Sequence, residues 1–195
     1  MAFKKTYLLL SLCIFLVACS SNPTVSFYQL KFIDTENNNL AVPNTKNLTI
    51  LIHSVKFPEY LDQPQIVIRE SAYKLKLSEN QYWAEPLENE FTRVFTENLN
   101  SRITPNHAVK YSELHGDKAD IHLSIKVLQL DVNLEGEATL SVKWAYWPEG
   151  NIQNITRLKN TYQVPIKYNN YESKVEAQSQ AIAIFSRAVA DTLIK

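Results

Sequence analysis

Glycine, cysteine and unbalanced charge are scarce in this chain of 195 residues, and each scarcity excludes a class of function. The only glycines are Gly116, Gly136 and Gly150, which lie too far apart to build a phosphate-binding loop or the sharp turn of a nucleophile elbow. Lysine plus arginine equals aspartate plus glutamate at 20 each, so the basic excess of a nucleic-acid-binding protein is missing. These absences argue against ATP hydrolysis and against a nucleic-acid partner.

Histidines and paired carboxylates do not form a recognisable catalytic pattern. The four histidines lack the close helical spacing of a zinc protease, and we interpret them as solvated. As an alternative, His115 and His122 could meet and bind a metal together with Asp117 or Asp120. We predict no catalytic residue, no metal site and no dissociable cofactor. The remaining histidines are His53 and His107, and the carboxylate pairs expected on solvated surface are Glu88 with Glu90 and Glu135 with Glu137.

The N-terminal residues have the layout of a secretory signal. Two lysines, Lys4 and Lys5, precede an apolar run from Tyr7 to Ala18. That run is shorter than the about 20 residues of a membrane-spanning helix, so it indicates a signal peptide rather than a retained span. The segment from Leu16 to Cys19 resembles the bacterial lipobox, in which cleavage leaves a cysteine as the first residue of the mature chain.

Cys19 is therefore predicted to carry S-diacylglyceryl and N-acyl groups. Each buried CH₂ contributes about 0.8 kcal/mol, so several acyl chains hold a protein durably on a bilayer. The next residue is Ser20, whereas an aspartate there would resemble an inner-membrane retention signal. Ser20 therefore favours the outer membrane, with the folded part facing the periplasm. Because Cys13 leaves with the signal peptide, the mature chain has no free thiol for a disulfide, and its stability must come from its core.

Three segments follow from this interpretation: a signal peptide at 1–18, an acylated cysteine and short tether at 19–26, and a single domain at 27–195. Apolar alternation predicts strands, and apolar residues at three- and four-residue steps predict two helices. One polar sheet face and two amphipathic helices predict an α+β fold, with both helices on one face of a mixed or antiparallel sheet. The predicted strands are 27–32, 48–57, 66–69, 73–77, 121–132, 138–147 and 155–166, and the predicted helices are 86–103 and 171–194.

Two segments combine aromatic residues with proline, which makes a rigid apolar surface at low entropic cost. The first runs from Phe57 to Leu61, and the second runs from Tyr82 to Leu87. We predict a partner or oligomer contact there, and the alternative is that both segments pack against the domain's own core. The predicted contact residues are Phe57, Pro58, Tyr60, Leu61, Trp83, Glu85 and Pro86.

These two segments, together with Cys19 and residues 27–30, resemble the ABC-type transport auxiliary lipoproteins. The resemblance implies a non-enzymatic outer-membrane lipoprotein that works with an inner-membrane complex of an MCE-domain lipid-binding protein and its permease. It also implies assembly of identical chains into a ring. The sequence departs from the family at Gln63, where many relatives carry a basic residue before the proline.

Two other functions remain open from the sequence. A periplasmic carrier that binds lipid itself would suit the 45% hydrophobic content and the aromatic residues at 146–147, 168 and 171, but it requires a cavity. A structural lipoprotein bound to cell-wall polymer is the second alternative. A hydrolase using a histidine or carboxylate site is the least favoured.

Overall fold

The computed structural model describes residues 24–33, 48–103, 108–110 and 119–194. The predicted signal peptide and Cys19 lie outside the described residues. Within these ranges the chain forms eight strands and two long helices. The strands are β1 (Ser26–Tyr28), β2 (Ile50–Lys56), β3 (Gln65–Ser71), β4 (Lys74–Trp83), β5 (Ala108–Lys110), β6 (Ile121–Asn133), β7 (Glu137–Pro148) and β8 (Thr156–Pro165), and the helices are α1 (Leu87–Arg102) and α2 (Tyr171–Leu193).

All eight strands join one mixed sheet, and β6 is its central strand. On one edge, β6 pairs antiparallel with β7, which pairs antiparallel with β8. Along the other edge of β6, two strands pair with it in parallel at different positions: β2 pairs with 121–126, and β3 pairs with Val132 and Asn133. Strand β4 adds antiparallel to β3, β1 adds parallel to β4, and β5 adds parallel to β2. The sheet therefore has a break between β2 and β3.

Both helices pack on one face of the sheet, and they also pack against each other. The rings of Phe95 in α1 and Phe185 in α2 stack with their centroids 5.1 Å apart, and Phe185 also meets Trp144 of β7 edge-on. The predicted α+β fold is thereby confirmed. The apolar stripes expected on the helices are buried in this layer: Leu87, Phe91, Val94, Phe95, Leu99 and Ile103 on one side and Val175, Ile182, Phe185, Val189 and Leu193 on the other.

Local signals explain where the elements start and turn. The side chain of Asn170 accepts a hydrogen bond from the backbone N–H of Ser173, which caps the N-terminus of α2. Gly136 adopts a positive φ of 89° in the turn between β6 and β7, a conformation that glycine reaches without steric cost. β6 and β7 thereby form an antiparallel hairpin.

Two strands depart most from their predicted bounds, and one strand was not predicted. β1 ends at Tyr28, short of the predicted Phe32. β4 continues to Trp83 rather than ending at Leu77, because its last residues pair with β1. The short β5 was not predicted, since three residues carry too little periodicity.

Candidate functional site

The first predicted contact segment crosses the break in the sheet. Pairing of β2 with β6 ends at Lys56, and pairing of β3 with β6 begins at Ile68. Residues 57–64 fill the interval and include one turn of 3-10 helix at Glu59–Leu61. This segment is therefore held at both ends by the same neighbouring strand.

The second predicted contact segment lies directly beside the first. The backbone N–H of Trp83 donates to the carbonyl oxygen of Pro64 over 2.7 Å, and the N–H of Ala84 donates to the carbonyl of Tyr28 over 2.9 Å. The two segments enclose an open cleft of about 450 Å³. Five of the seven predicted contact residues line it, namely Phe57, Leu61, Trp83, Glu85 and Pro86.

The apolar residues of the cleft belong largely to the core. Leu61 and Trp83 are buried, and the ring of Phe57 meets Phe91 of α1 edge-on at 5.4 Å. Packing against the core, the alternative considered from the sequence, therefore describes these side chains. Glu85 and Pro86 are exposed. The cleft is rimmed by four exposed carboxylates, Glu59, Asp62, Glu85 and Glu88.

Tyr60 and Pro58 do not line the cleft, and Tyr60 instead anchors its wall. The Tyr60 hydroxyl donates to Oδ2 of Asp131 over 3.1 Å. The Arg69 guanidinium binds the same carboxylate through Nε at 3.1 Å and Nη2 at 2.6 Å, and Gln129 donates over 2.8 Å. The side chain of Asp131 is only 1% exposed, and its charge is satisfied by three partners. Burial, and then the charge of Asp131, raises the pKa of Tyr60, so the phenol stays protonated and continues to donate.

Sequence reasoning missed this buried carboxylate. Asp131 lies between the apolar residues Leu130 and Val132 of β6, which indicates a buried position. That indication does not reveal which residues bind the Asp131 carboxylate. Arg69 lies 62 residues earlier, so only the tertiary fold brings the two together.

Two histidines form a cluster at the opposite end of β6. His53 Nε2 lies 2.7 Å from Nδ1 of His122, and Nε2 of His122 lies 2.6 Å from a carboxylate oxygen of Glu149. Both imidazole rings stack on Trp147. The expectation of a solvated His122 is wrong, because its side chain is only 12% exposed. Burial, and then the neighbouring His122, lowers the pKa of His53.

The metal site considered from the sequence is not tested, because His115 and Asp117 lie outside the described residues. Among the residues that the structure describes, no group of three or more histidine, cysteine, aspartate or glutamate side chains is arranged to hold a metal ion. No helix in the described ranges is both long and apolar enough to cross a bilayer.

The expectation that Glu90 lies on a solvated surface is wrong. Its side chain is buried, and its Oε2 accepts a hydrogen bond from the backbone N–H of Leu30 over 2.5 Å. Arg93 of the same helix donates to the carbonyl of Leu30 over 3.1 Å. Burial raises the pKa of Glu90, and the Leu30 bond and Arg93 oppose that effect. Glu90 thus fastens the segment after β1 to α1, whereas its neighbour Glu88 is exposed as predicted.

The sheet face opposite the helices carries four lysines in one row. Strand register places Lys56 opposite Lys126, Lys126 opposite Lys143, and Lys143 opposite Lys159. We call this set the lysine row. All four are exposed, and none takes part in the ion pairs found among the described residues. Like charges directly opposite one another are destabilising, so the row is a local cost to the sheet.

Solved structures share this architecture. A crystal structure of an uncharacterised protein matches with a TM-score of 0.71 at 20% identity, covering 87% of this chain and 99% of the other. Protein XCC0632 from Xanthomonas campestris matches with a TM-score of 0.71 at 16% identity, covering 86% and 94%. At these identities the likeness establishes the fold, an open α+β sheet with helices on one face.

The family follows from the sequence match. Residues 28–190 match the family of the ABC-type transport auxiliary lipoprotein component, and the chain belongs to that family. This confirms the resemblance noted from the two aromatic segments. A curated relative, the intermembrane transport lipoprotein PqiC of Escherichia coli, is 24% identical over 149 residues, which cover 76% of this chain and 77% of the relative. The same named protein from Shigella flexneri matches equally.

Proposed function

We propose that this protein is a lipid-anchored outer-membrane subunit that serves as a docking station for an MCE-type intermembrane lipid transport system. In this role it faces the periplasm, contacts the inner-membrane MCE-domain protein and its permease complex, and supports outer-membrane integrity. Cys19 holds it on the membrane through its acyl groups. The role is non-enzymatic.

The family match over residues 28–190 carries the proposal. The curated relative at 24% identity is itself named an intermembrane transport lipoprotein, which supports the same direction. A docking role also agrees with the geometry, because the most distinctive described surface is a shaped cleft with a fixed wall. Partners recognise such surfaces through shape and charge complementarity.

The cleft is the surface that we assign to the partner. Its floor contains buried apolar side chains, and its rim carries four carboxylates without a basic residue among its lining. A complementary segment would present basic side chains around a small apolar anchor. A ring of identical chains, as the family implies, would repeat this cleft around its circumference.

A carrier that encloses lipid is less well supported. Such a carrier needs an apolar cavity, and the layer between sheet and helices is instead filled by aromatic rings. Phe91, Phe95 and Phe185 are fully buried there and contact one another in sequence, at centroid distances of 6.1 and 5.1 Å.

Crosslinking in the native host tests the proposal. The full-length chain, with its own signal peptide, is crosslinked in cells, purified and analysed by mass spectrometry. We expect an MCE-domain protein among the crosslinked partners, and its absence from crosslinked material would refute the docking role.

A charge reversal then tests the cleft separately. The double variant Glu59→Lys with Asp62→Lys should strongly reduce recovery of that partner, because like charges placed across an interface cost several kcal/mol. The matched control is Glu79→Lys with Glu172→Lys, which changes the same charge at exposed positions outside the cleft. Equal recovery with both variants would remove the cleft from the interface while leaving the docking role intact.

A further inference from the structure

Three loops meet at one end of the sheet. Strands β3, β6 and β8 run in the same direction, so the loops that follow them emerge at a common end. Arg69 pairs with Asn133, which sets the β3–β4 turn beside the β6–β7 turn. The N–H of Ile166 donates to the carbonyl of Gly136 over 2.8 Å, which sets the β8–α2 loop beside the same turn.

Each of these loops exposes a large side chain with apolar character. Tyr73 is 100% exposed, Leu134 is 66% exposed and Tyr168 is 70% exposed. We call these three residues the tip surface. Leu75 and Leu77, which follow Tyr73 on β4, are also exposed. Single exposed apolar residues are ordinary, but a set gathered at one end of a molecule marks a contact surface.

The first residue of β1 faces this same end. β1 pairs parallel with β4, which runs away from the loops, so Ser26 is the end of β1 nearest to them. Ser26 pairs with Gln81 near the far end of β4, which is about 20 Å along the sheet from the β3–β4 turn at about 3.3 Å per residue. Seven residue steps separate Ser26 from Cys19. An extended chain spans at most about 3.3 to 3.6 Å per residue, which limits the tether to about 25 Å. That reach covers the distance from Ser26 to the loops, so an acyl group on Cys19 can lie in a bilayer that the tip surface touches.

The residue types suit the boundary between lipid and water. Tyrosine combines an apolar ring with a polar hydroxyl and is enriched at membrane interfaces, and lysine can keep its charge in water while its stem lies on apolar surface. Lys74, Lys76 and Lys167 lie in or next to these loops. Two of them are already paired, Lys74 with Glu70 and Lys167 with Glu176, so the tip surface has little unbalanced charge with which to bind through electrostatics alone.

We infer that the tip surface rests in the headgroup region of the bilayer that holds the acyl chains, with Tyr73, Leu134 and Tyr168 inserted. This inference depends on the proposed acylation of Cys19, and it adds an orientation. The strands then stand upright on the membrane, and the lysine row runs parallel to the membrane across the side of the sheet, away from the tip surface. The anchor and the three loops together fix the domain at several points instead of one.

Site-directed spin labelling tests the inference on the acylated protein. Once Cys13 is removed and Cys19 is acylated, an introduced cysteine is the one reactive thiol. Tyr168→Cys and the matched control Ile152→Cys, at the opposite end and 68% exposed, are each labelled and reconstituted in vesicles of phosphatidylethanolamine with some phosphatidylglycerol. We expect the label at position 168 to collide mainly with lipid-soluble oxygen and the label at 152 mainly with a water-soluble nickel complex.

Vesicle partitioning of the acyl-free Cys19→Ser protein provides a quantitative readout. Its described core is formed by residues after position 24, so removal of the acyl group leaves that core complete. Replacing Tyr73, Leu134 and Tyr168 by serine should lower the partition coefficient about a hundredfold, because each apolar side chain transferred to the interface contributes about a factor of five. The same change at Ile152 should leave it within about a factor of two.

The outcomes separate this inference from the proposed function. Mass spectrometry of the native protein reports acylation directly. Acylated protein with equally water-exposed labels at 168 and 152 would overturn the membrane contact and leave the docking role standing. Lipid contact that disappears at high salt would also overturn it, because that behaviour would assign binding to the lysine row. Protein without acyl groups and without lipid contact would overturn both.

Discussion

Removing one hydroxyl from Tyr60 should destabilise the protein measurably, although the side chain lies in a loop. The Tyr60→Phe variant loses the hydrogen bond to the buried Asp131 carboxylate and keeps the ring. A hydrogen bond to a charged group contributes about 1.5 to 3 kcal/mol to the free energy of unfolding. For a domain of this size each kcal/mol moves the melting temperature by about 2 to 4 °C, so we expect a decrease of about 3 to 12 °C.

Tyr82→Phe is the matched control, since its hydroxyl donates to the carbonyl of Glu79 over 3.2 Å at an exposed position. Its free energy of unfolding should change by less than about 0.5 kcal/mol. Chemical denaturation of both variants measures the difference. Combining Tyr60→Phe with Asp131→Asn should cost less than the two single changes added together, because each removes the hydrogen bond between the Tyr60 hydroxyl and a charged carboxylate. Similar stabilities for Tyr60→Phe and Tyr82→Phe, or strict additivity in the double variant, would refute the reasoning.

Three further changes test other charged groups. Lys143→Gln should stabilise the protein by about 0.2 to 1 kcal/mol by relieving repulsion from its two lysine neighbours, and the gain should shrink in high salt; thermal melts without and with added salt measure both effects. The free energy of unfolding should decline as pH rises above 4.5, because the raised pKa of Glu90 makes the folded protein bind this proton more tightly than the unfolded chain. Glu90→Gln should make that decline smaller. Urea titrations of both proteins at several pH values measure it, and equal declines would contradict the expectation. The protein should lose stability as pH falls below 6.5, because the lowered pKa of His53 means that the unfolded chain takes up a proton before the folded protein does. His53→Gln should make this loss smaller, which melting temperatures measured from pH 7.5 to about 5 would show.

The helices and long strands could be predicted because each carries its own periodicity. Residues 87–102 repeat apolar side chains at helical steps, and 121–133 alternate over most of their length. Those patterns are local, so one sequence is enough to find them. The C-terminal part of β4 was not predicted as a strand, because it pairs with β1, which lies more than fifty residues earlier in the sequence.

The functional surfaces could likewise be predicted where the signal is local and not where it depends on the tertiary fold. The two proline and aromatic segments were noticed because each is unusual on its own, and the fold brings them together at the break in the sheet. The lysine row was not predicted, because lysines on four strands align only when the register of every pair is known. The burial of Glu90 was missed for a related reason: its partner, the N–H of Leu30, belongs to another part of the chain.

Because the cleft segment lies at the break between β2 and β3, its sequence can change without altering the pairing of the sheet. Residues 57–64 bridge two strands that are each held by β6, so changes at the exposed Glu59, Asp62 and Gln63 leave the ladder intact. Loops supported by a rigid scaffold tolerate substitution better than the elements they connect. Descendants of one ancestral chain could thus acquire different binding preferences by altering this short bridge, while inheriting the same folded framework.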